Sequence, residues 1–530
     1  MTVAALLDEL RDRACYPEPP AEVAIVQTHL SVVCLAGERV YKLKKAVTLP
    51  FVDFATLAAR RAACRAEVRL NRRLCPDTYL GTCALRRTAA GLRFGALGDD
   101  ERADDLDVAV VMRRLPADRM LDQLVAHGAV SVADIERLAA HIATFHARAE
   151  RGAAVSAHGD PDRLAAFAAA NFTELGALPD HGLSPHLLRA LANASAAAFA
   201  GILPLLRQRA ASGFVVDGHG DLHARNICLT DPPIVYDCIE FEPAFRCGDV
   251  ATENAFLVMD LRHRGAPALA AAYERAYVRA SGDTAQPTLL PTLCSYRAVV
   301  RAKVAALAAA EPELPADDRA GARASAARHL RLGAVFLGEA RDPLWLVVCG
   351  PPASGKSRLC AALHGVGDWP HLATDVVRKG LAGLAPTTAA GPAAYTAAFS
   401  AATYRALLAA AAERTAAGAP VVLLDGNFPT ADHRADALAA ARAAGARLVV
   451  AHLTIDLATA TARAAARQRE PGHVSDAGPE VTAARFASFA APQPASGFPV
   501  LTLDGGRPTD ALVDQLLATL LERRGESLGA

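Results

Sequence analysis

Two groups of residues in this chain have the types and spacing needed to move a phosphoryl group. The first lies in His219-Gly220-Asp221-Leu222-His223-Ala224-Arg225-Asn226, followed by Asp237. Phosphoryl transfer to a hydroxyl needs a carboxylate to take the hydroxyl's proton, ligands for metal ions, and a cation on the phosphate oxygens. Asp221 is placed for the first role, and Asn226 and Asp237 for Mg²⁺. Lys42, in Val40-Tyr41-Lys42, would reach the α- and β-phosphates, and Glu67 is the best-placed acid to pair with it. Lys44 shares the strand phase of Lys42, so spacing alone leaves the two as alternatives.

The second group is Gly350-Pro351-Pro352-Ala353-Ser354-Gly355-Lys356-Ser357. This is the P-loop pattern, in which backbone N–H groups cradle phosphates, Lys356 reaches the outer phosphates and Ser357 binds Mg²⁺. Asp375 is placed to accept a proton from an acceptor hydroxyl, with Arg378 beside it to hold an acceptor anion. Asp425 closes an apolar strand and suits Mg²⁺ or its water shell. Arg463, Arg467 and Arg469 fall on a helix expected to end near Pro471 and could close on the transferring phosphate, or simply face solvent.

The elements around these residues read as two different architectures. Strands are expected at 23–26, 30–35 and 39–44, with a turn at Ala36-Gly37-Glu38, then a helix over 56–74 and a strand over 108–112. Residues 132–209 read as helical throughout, and short strands at 214–216 and 234–236 flank the first motif. Helices resume to about Leu337. From Leu344 the order becomes strand, P-loop, helix, then strands at 421–424, 447–453 and 500–503 with helices between, which argues a doubly wound sheet. The expected fold is therefore α+β over 1–337, where the first motif resembles the catalytic loop of a kinase-like fold, then a linker at 338–343 and an α/β P-loop fold with a mostly parallel sheet over 344–530.

Composition narrows the class. A chain of 530 residues exceeds one ordinary core. Its 56 Lys+Arg balance 56 Asp+Glu, which argues against a nucleic-acid or membrane footprint. Eleven cysteines, none in a CxxC pair, read as small buried hydrophobes in a reducing cytosol rather than as disulfides or a zinc site. The first thirteen residues carry too many charges for a secretory signal. The apolar run 191–206 contains Asn193, Ser195 and Pro204 and reads as a buried helix. A cytoplasmic protein is expected, and a homo-oligomer is compatible with the sequence.

The first motif set resembles the aminoglycoside phosphotransferase family, kinase-fold enzymes that phosphorylate small-molecule hydroxyls. The resemblance spans about residues 20–335 and is strongest from His219 to Asp249. It implies that Met112 to Leu115 form the hinge whose backbone binds adenine. There is no G-x-G-x-x-G after residue 21, so Gln27-Thr28-His29-Leu30-Ser31 must cover the phosphates. The helices carrying Phe145-His146 show no acidic cluster for an aminoglycoside, so antibiotic resistance does not follow.

Residues 344–525 resemble small P-loop kinases of the gluconate-kinase, chloramphenicol-phosphotransferase and zeta-toxin type, and the kinase half of polynucleotide kinase. Asp375-x-x-Arg378 matches the last in spacing. Against a polynucleotide acceptor, residues 344–530 hold 16 Lys+Arg and 15 Asp+Glu and no aromatic stacking platform is evident.

The order of the halves resembles a bacterial fusion of these two domain types, which implies ATP and Mg²⁺ as cofactors. The reading is a phosphotransferase with two nucleotide sites acting on a sugar, cyclitol or aminoglycoside-like hydroxyl. Three alternatives are one active kinase domain regulated by nucleotide in the other, a nucleotide-sensing interaction protein, and a C-terminal polynucleotide 5′-hydroxyl kinase.

Overall fold

In the computed structural model, which describes residues 3–49, 52–179, 181–312, 314–340, 342–467, 469, 478–493 and 497–523, the expected N-terminal hairpin is present. Ser31–Ala36 pairs antiparallel with Arg39–Lys44 around Gly37, whose φ of 61° suits the tight reversal. Val23–Gln27 flanks it on one side. On the other lie Asp107–Arg113, Tyr79–Thr88 and Gly91–Phe94, completing a six-stranded antiparallel sheet. The hairpin Tyr79–Phe94 escapes a reading by alternation, since Arg86 and Arg87 interrupt its apolar run.

Thr56 caps the helix Leu57–Asn71 by accepting the Ala59 N–H at 3.2 Å. This helix lays Cys64 and Val68 against Val108, Val110 and Met112 of the sheet. The remainder of this unit is largely helical. Residues 132–209, expected to be helical throughout, form four helices: Val132–Arg148, Ala153–His158, Pro161–Ala177 and Pro185–Ala211. Gly152, Pro161 and Pro185 mark the breaks, where φ-restricted or capless residues stop one helix and start the next.

The P-loop half holds a five-stranded sheet, all parallel, in the order His371–Ala373, Val421–Asp425, Leu344–Cys349, Arg447–Thr454, Val500–Asp504. Its central strand Leu344–Cys349 is buried at every residue, as a near-continuous apolar run requires. One face packs on Leu407, Ala411, Phe428 and Ala437.

The opposite face carries a finding that the linker expected at 338–343 does not convey. Leu187, Leu191, Val299, Leu330 and Val335 join Leu346, Leu359, Leu363 and Leu516 in a single buried cluster. The compact units are accordingly Met1–Ala166 with Ile202–Leu293, and Phe167–Gly201 with Cys294–Ala530. Alanine-rich helices give no sign in sequence of which sheet they will cover.

Among the described residues one helix, Pro185–Ala211, is long and apolar enough to cross a membrane, with a third of its most apolar window buried. Its Leu187, Leu188, Leu191 and Ala194 face the cluster just described, and alanines make up much of the remainder.

Candidate functional site

Lys42 resolves from Lys44 in the N-terminal unit. Strand alternation points both toward the helix Leu57–Asn71, but their partners differ. Lys42 Nζ lies 2.8 Å from Glu67 Oε1 and 2.5 Å from Asp237 Oδ1. Lys44 Nζ pairs with the other Glu67 oxygen at 2.5 Å and with Glu240. The Lys44 side chain is 3% exposed, that of Lys42 is 13% and that of Asp237 is 42%. Lys42 and Asp237 are therefore the more exposed pair, and Lys44–Glu240 is the buried one. Burial pushes Lys42 down, yet Asp237 and Glu67 hold its pKa well above the ordinary value; burial pushes Glu67 up, and the two lysines bring it to about 2.

Asp237 is reached by a turn in which its own backbone is left-handed (φ 65°), an uncommon state for a non-glycine residue. The Tyr79 hydroxyl accepts its N–H at 3.2 Å, and Asn71 Oδ1 accepts the next N–H, of Cys238, at 2.9 Å. Asn226 donates from Nδ2 to both Oδ2 and the backbone oxygen of Asp221 at 3.0 Å, so Oδ1 is the atom it would offer a cation. His223 Nε2 approaches Asp221 Oδ2 at 3.3 Å. His219 donates from Nε2 to the Tyr236 carbonyl at 2.9 Å and accepts the Asp221 N–H on Nδ1, a neutral tautomer consistent with burial lowering its pKa.

Beneath this loop is a brace that sequence reading did not find. The backbone N–H groups of His219 and Gly220 both donate to Glu253 Oε1. The other oxygen, Oε2, is held by His146 Nε2 at 2.7 Å, and His146 Nδ1 contacts the Tyr277 hydroxyl at 2.7 Å. Gly220 has φ 85°, and a Cβ there would stand 2.8 Å from the Phe245 carbonyl, so only glycine fits. Arg73 and Arg246 both donate to Asp217 Oδ1, and Arg209 is bidentate to both Asp249 and Asp283. Glu253 lies on the helix Val250–His263, which is buried from Val250 to Leu261, and an ionised residue in such a helix needs partners.

Met112 lies at the end of the strand Asp107–Arg113, buried and paired with Val40 and Tyr79. The amides of Arg113 and Arg114 already donate to Thr78 and Glu38. The Gln27–Ser31 stretch is a tight turn in which Thr28 N–H donates to the Ser31 carbonyl at 2.9 Å.

In the other unit, Gly350 has φ 148°, and a Cβ there would stand 2.5 Å from the Leu453 carbonyl. Ala353 and Gly355 also have positive φ, and the helix Lys356–Gly367 begins immediately after. The loop thus presents a concave run of backbone at a helix N-terminus, a fit for phosphate oxygens. Lys356 Nζ bonds the Gly350 and Pro351 carbonyls at 3.1 and 2.8 Å. Burial lowers its pKa, with the charges of Asp425 and Asp375 acting against that shift and Arg467 adding to it. Ser357, the next residue, is exposed.

Arg463 and Arg378 are placed otherwise. Arg463 Nη1 donates to the Gly505 carbonyl at 2.8 Å. Arg378 is buried, with Nη1 on the Ala394 carbonyl at 2.6 Å and its guanidinium over the Tyr395 ring at 4.8 Å. Asp425 receives His371 Nε2 at 3.1 Å. The helix bearing Arg463 and Arg467 runs Leu457–Arg467; Pro471, its expected end, lies outside the described residues.

Comparison with known proteins agrees with this division. Residues 50–288 match the phosphotransferase enzyme family, and residues 346–492 match an AAA domain. Fold and sites together define a class: a phosphotransferase-family kinase domain and a P-loop kinase-like domain in one polypeptide. The chain belongs to the same family as the protein Rv2004c of Mycobacterium tuberculosis (strain ATCC 25618 / H37Rv), 32% identical over 378 residues, 70% of this chain and 71% of that one. Among solved structures, amicoumacin kinase hAmiN in complex with AMP-PNP, Ca²⁺ and Ami is similar over 62% of this chain and 93% of its own, at 12% identity and a TM-score of 0.37. A gluconokinase from Sinorhizobium meliloti 1021 is similar over 34% and 94%, at 20% identity and a TM-score of 0.24.

Proposed function

We infer that this protein is an ATP-dependent phosphotransferase with two nucleotide sites, each phosphorylating a hydroxyl of a small molecule. The observation that carries the reading is the Lys42 ammonium bridging Glu67 and Asp237 in the same unit that holds Asp221 against Asn226. In the N-terminal unit Lys42 would hold the α- and β-phosphates, and Asp237 and Asn226 Oδ1 would hold Mg²⁺. Asp221 takes the acceptor proton as the hydroxyl attacks. When bound, Mg²⁺ neutralises charge developing on the phosphate oxygens.

In the P-loop unit the backbone of 350–355 and Lys356 would hold the phosphates, with Ser357 and Asp425 toward Mg²⁺. Asp375 serves as base there, and Arg467 faces the negative charge beside Lys356. Arg378, fixed through Ala394, shapes the acceptor side and presents positive charge to it. The near-equal charge count of residues 344–530 favours a small acceptor over a polynucleotide.

The test is ATP turnover with Mg²⁺ over a panel of sugars, cyclitols and aminoglycosides, following products by mass spectrometry. Wild type, Asp221→Ala and Lys356→Ala are run together. Two products lost separately establish two kinases. One product lost in one variant and slowed in the other establishes a single kinase regulated by the second site. No product above background refutes the reading.

A further inference from the structure

Behind the P-loop lies a side-chain cluster that shares only Asp425 with the phosphate site. Cys360 on the helix Lys356–Gly367, His371 on the edge strand and Asp425 at the end of the neighbouring strand bring a sulfur, a ring nitrogen and a carboxylate oxygen within 4.8 Å of one another. We propose that these three side chains bind a zinc-type divalent cation, and that this cation draws Asp425 away from Mg²⁺.

The donor set argues the metal. Thiolate and imidazole select zinc-type cations over Mg²⁺, which prefers hard oxygens and its own waters. A tetrahedral ion with bonds of about 2.0–2.3 Å sets its ligand atoms about 3.5 Å apart, so the trio needs to draw in by about 1 Å. His371 and Asp425 already stand 3.1 Å apart. Three protein ligands leave a fourth position for water.

The placement supplies a rigid frame and an entrance. The parallel register sets Ala373 opposite Asp425 and fixes His371 on the adjoining strand. Cys360 is fully buried and Asp425 nearly so, whereas the His371 side chain is 23% exposed and gives an ion its route in. As the sulfur–metal bond forms, the thiol proton leaves to solvent, so affinity rises with pH. Among the described residues this is the one such grouping of His, Cys and carboxylates.

The regulatory consequence rests on the proposed function, because Asp425 is assigned there to Mg²⁺. The site itself does not, and Co²⁺ alone as a probe separates the two. Metal-stripped full-length protein is titrated with Co²⁺, and thiolate-to-cobalt charge-transfer absorption is recorded. One Co²⁺ per chain with that absorption is expected, displaced by Zn²⁺. It should vanish in Cys360→Ala, persist in Cys83→Ala, and need at least about tenfold more metal in His371→Ala, which alters a partly exposed side chain. No charge-transfer band, a band that survives in Cys360→Ala, or an unchanged metal requirement in His371→Ala overturns the site. Zn²⁺ should also inhibit the turnover that Lys356→Ala abolishes and spare the turnover that Asp221→Ala abolishes. Binding without that inhibition overturns the regulatory clause and leaves the site.

Discussion

Replacing Glu253 with Gln tests whether a single buried charge holds the Asp221 loop in place. Glu253 is buried, and its two oxygens take the N–H groups of His219 and Gly220 and the His146 ring. Burial alone would raise its pKa; the His146 bond and the backbone donors overcome that and bring it from 4.5 to about 2. A carboxylate lowered in the folded state contributes stability that is complete above its unfolded value and is lost as pH falls toward the folded one. For these two values the linkage relation gives a loss of about 1 kcal/mol by pH 4 and about 2 kcal/mol by pH 3.

Glu253→Gln keeps an oxygen acceptor for the two N–H groups but cannot titrate. Urea unfolding of wild type and variant between pH 7 and pH 3 should therefore show the stability gap closing by about 2 kcal/mol on acidification. At neutral pH the variant should lower kcat for the Asp221-dependent product while leaving nucleotide KM near wild type, because the brace acts on loop position. A gap that stays constant with pH would refute the charge argument. An unchanged kcat would refute the positioning role.

Four further outcomes follow from the geometry. Asp221→Asn should lower kcat of its product by about 10²–10⁴-fold with nucleotide affinity retained, measured by single-turnover kinetics and calorimetry. Lys42→Met should abolish the same product, whereas Lys44→Met, which leaves Glu240 buried without its cation, should chiefly lower the melting temperature. Gly350→Ala forces a Cβ against the Leu453 carbonyl and should remove nucleotide binding from the P-loop unit alone, as followed with fluorescent nucleotide analogues. Arg209→Ala leaves Asp249 and Asp283 buried without their cation and should destabilise the N-terminal unit by about 3–5 kcal/mol in urea titrations.

The strands that carry chemistry were the most legible parts of the sequence. Arg39–Lys44 and Leu344–Cys349 begin and end where alternation or an unbroken apolar run says they should. The P-loop was readable because its glycines answer a local demand of the backbone. What was not legible depends on partners far along the chain. The ranking of Lys42 over Lys44 required seeing Asp237 and Glu240 fold onto them across about two hundred residues. Nothing local to Glu253 pointed to His146 as its partner. Arg378 and Arg463 had spacing for a ligand role, and the structure spends part of their hydrogen bonding on the carbonyls of Ala394 and Gly505.

The helical cover of the parallel sheet bears on how such a gene can change. Because that cover is drawn from Phe167–Gly201 as well as from Cys294 onward, a break before Leu344 would release a sheet with Leu346, Leu359 and Leu516 stripped of Leu187, Leu191, Val299 and Leu330. A break at residue 293 would still leave Phe167–Gly201 on the other piece. Any single cut into two genes therefore leaves one product incomplete. The sheet keeps its cover only in an uninterrupted reading frame, so a change confined to one site is expected to come by point mutation there rather than by loss of a segment.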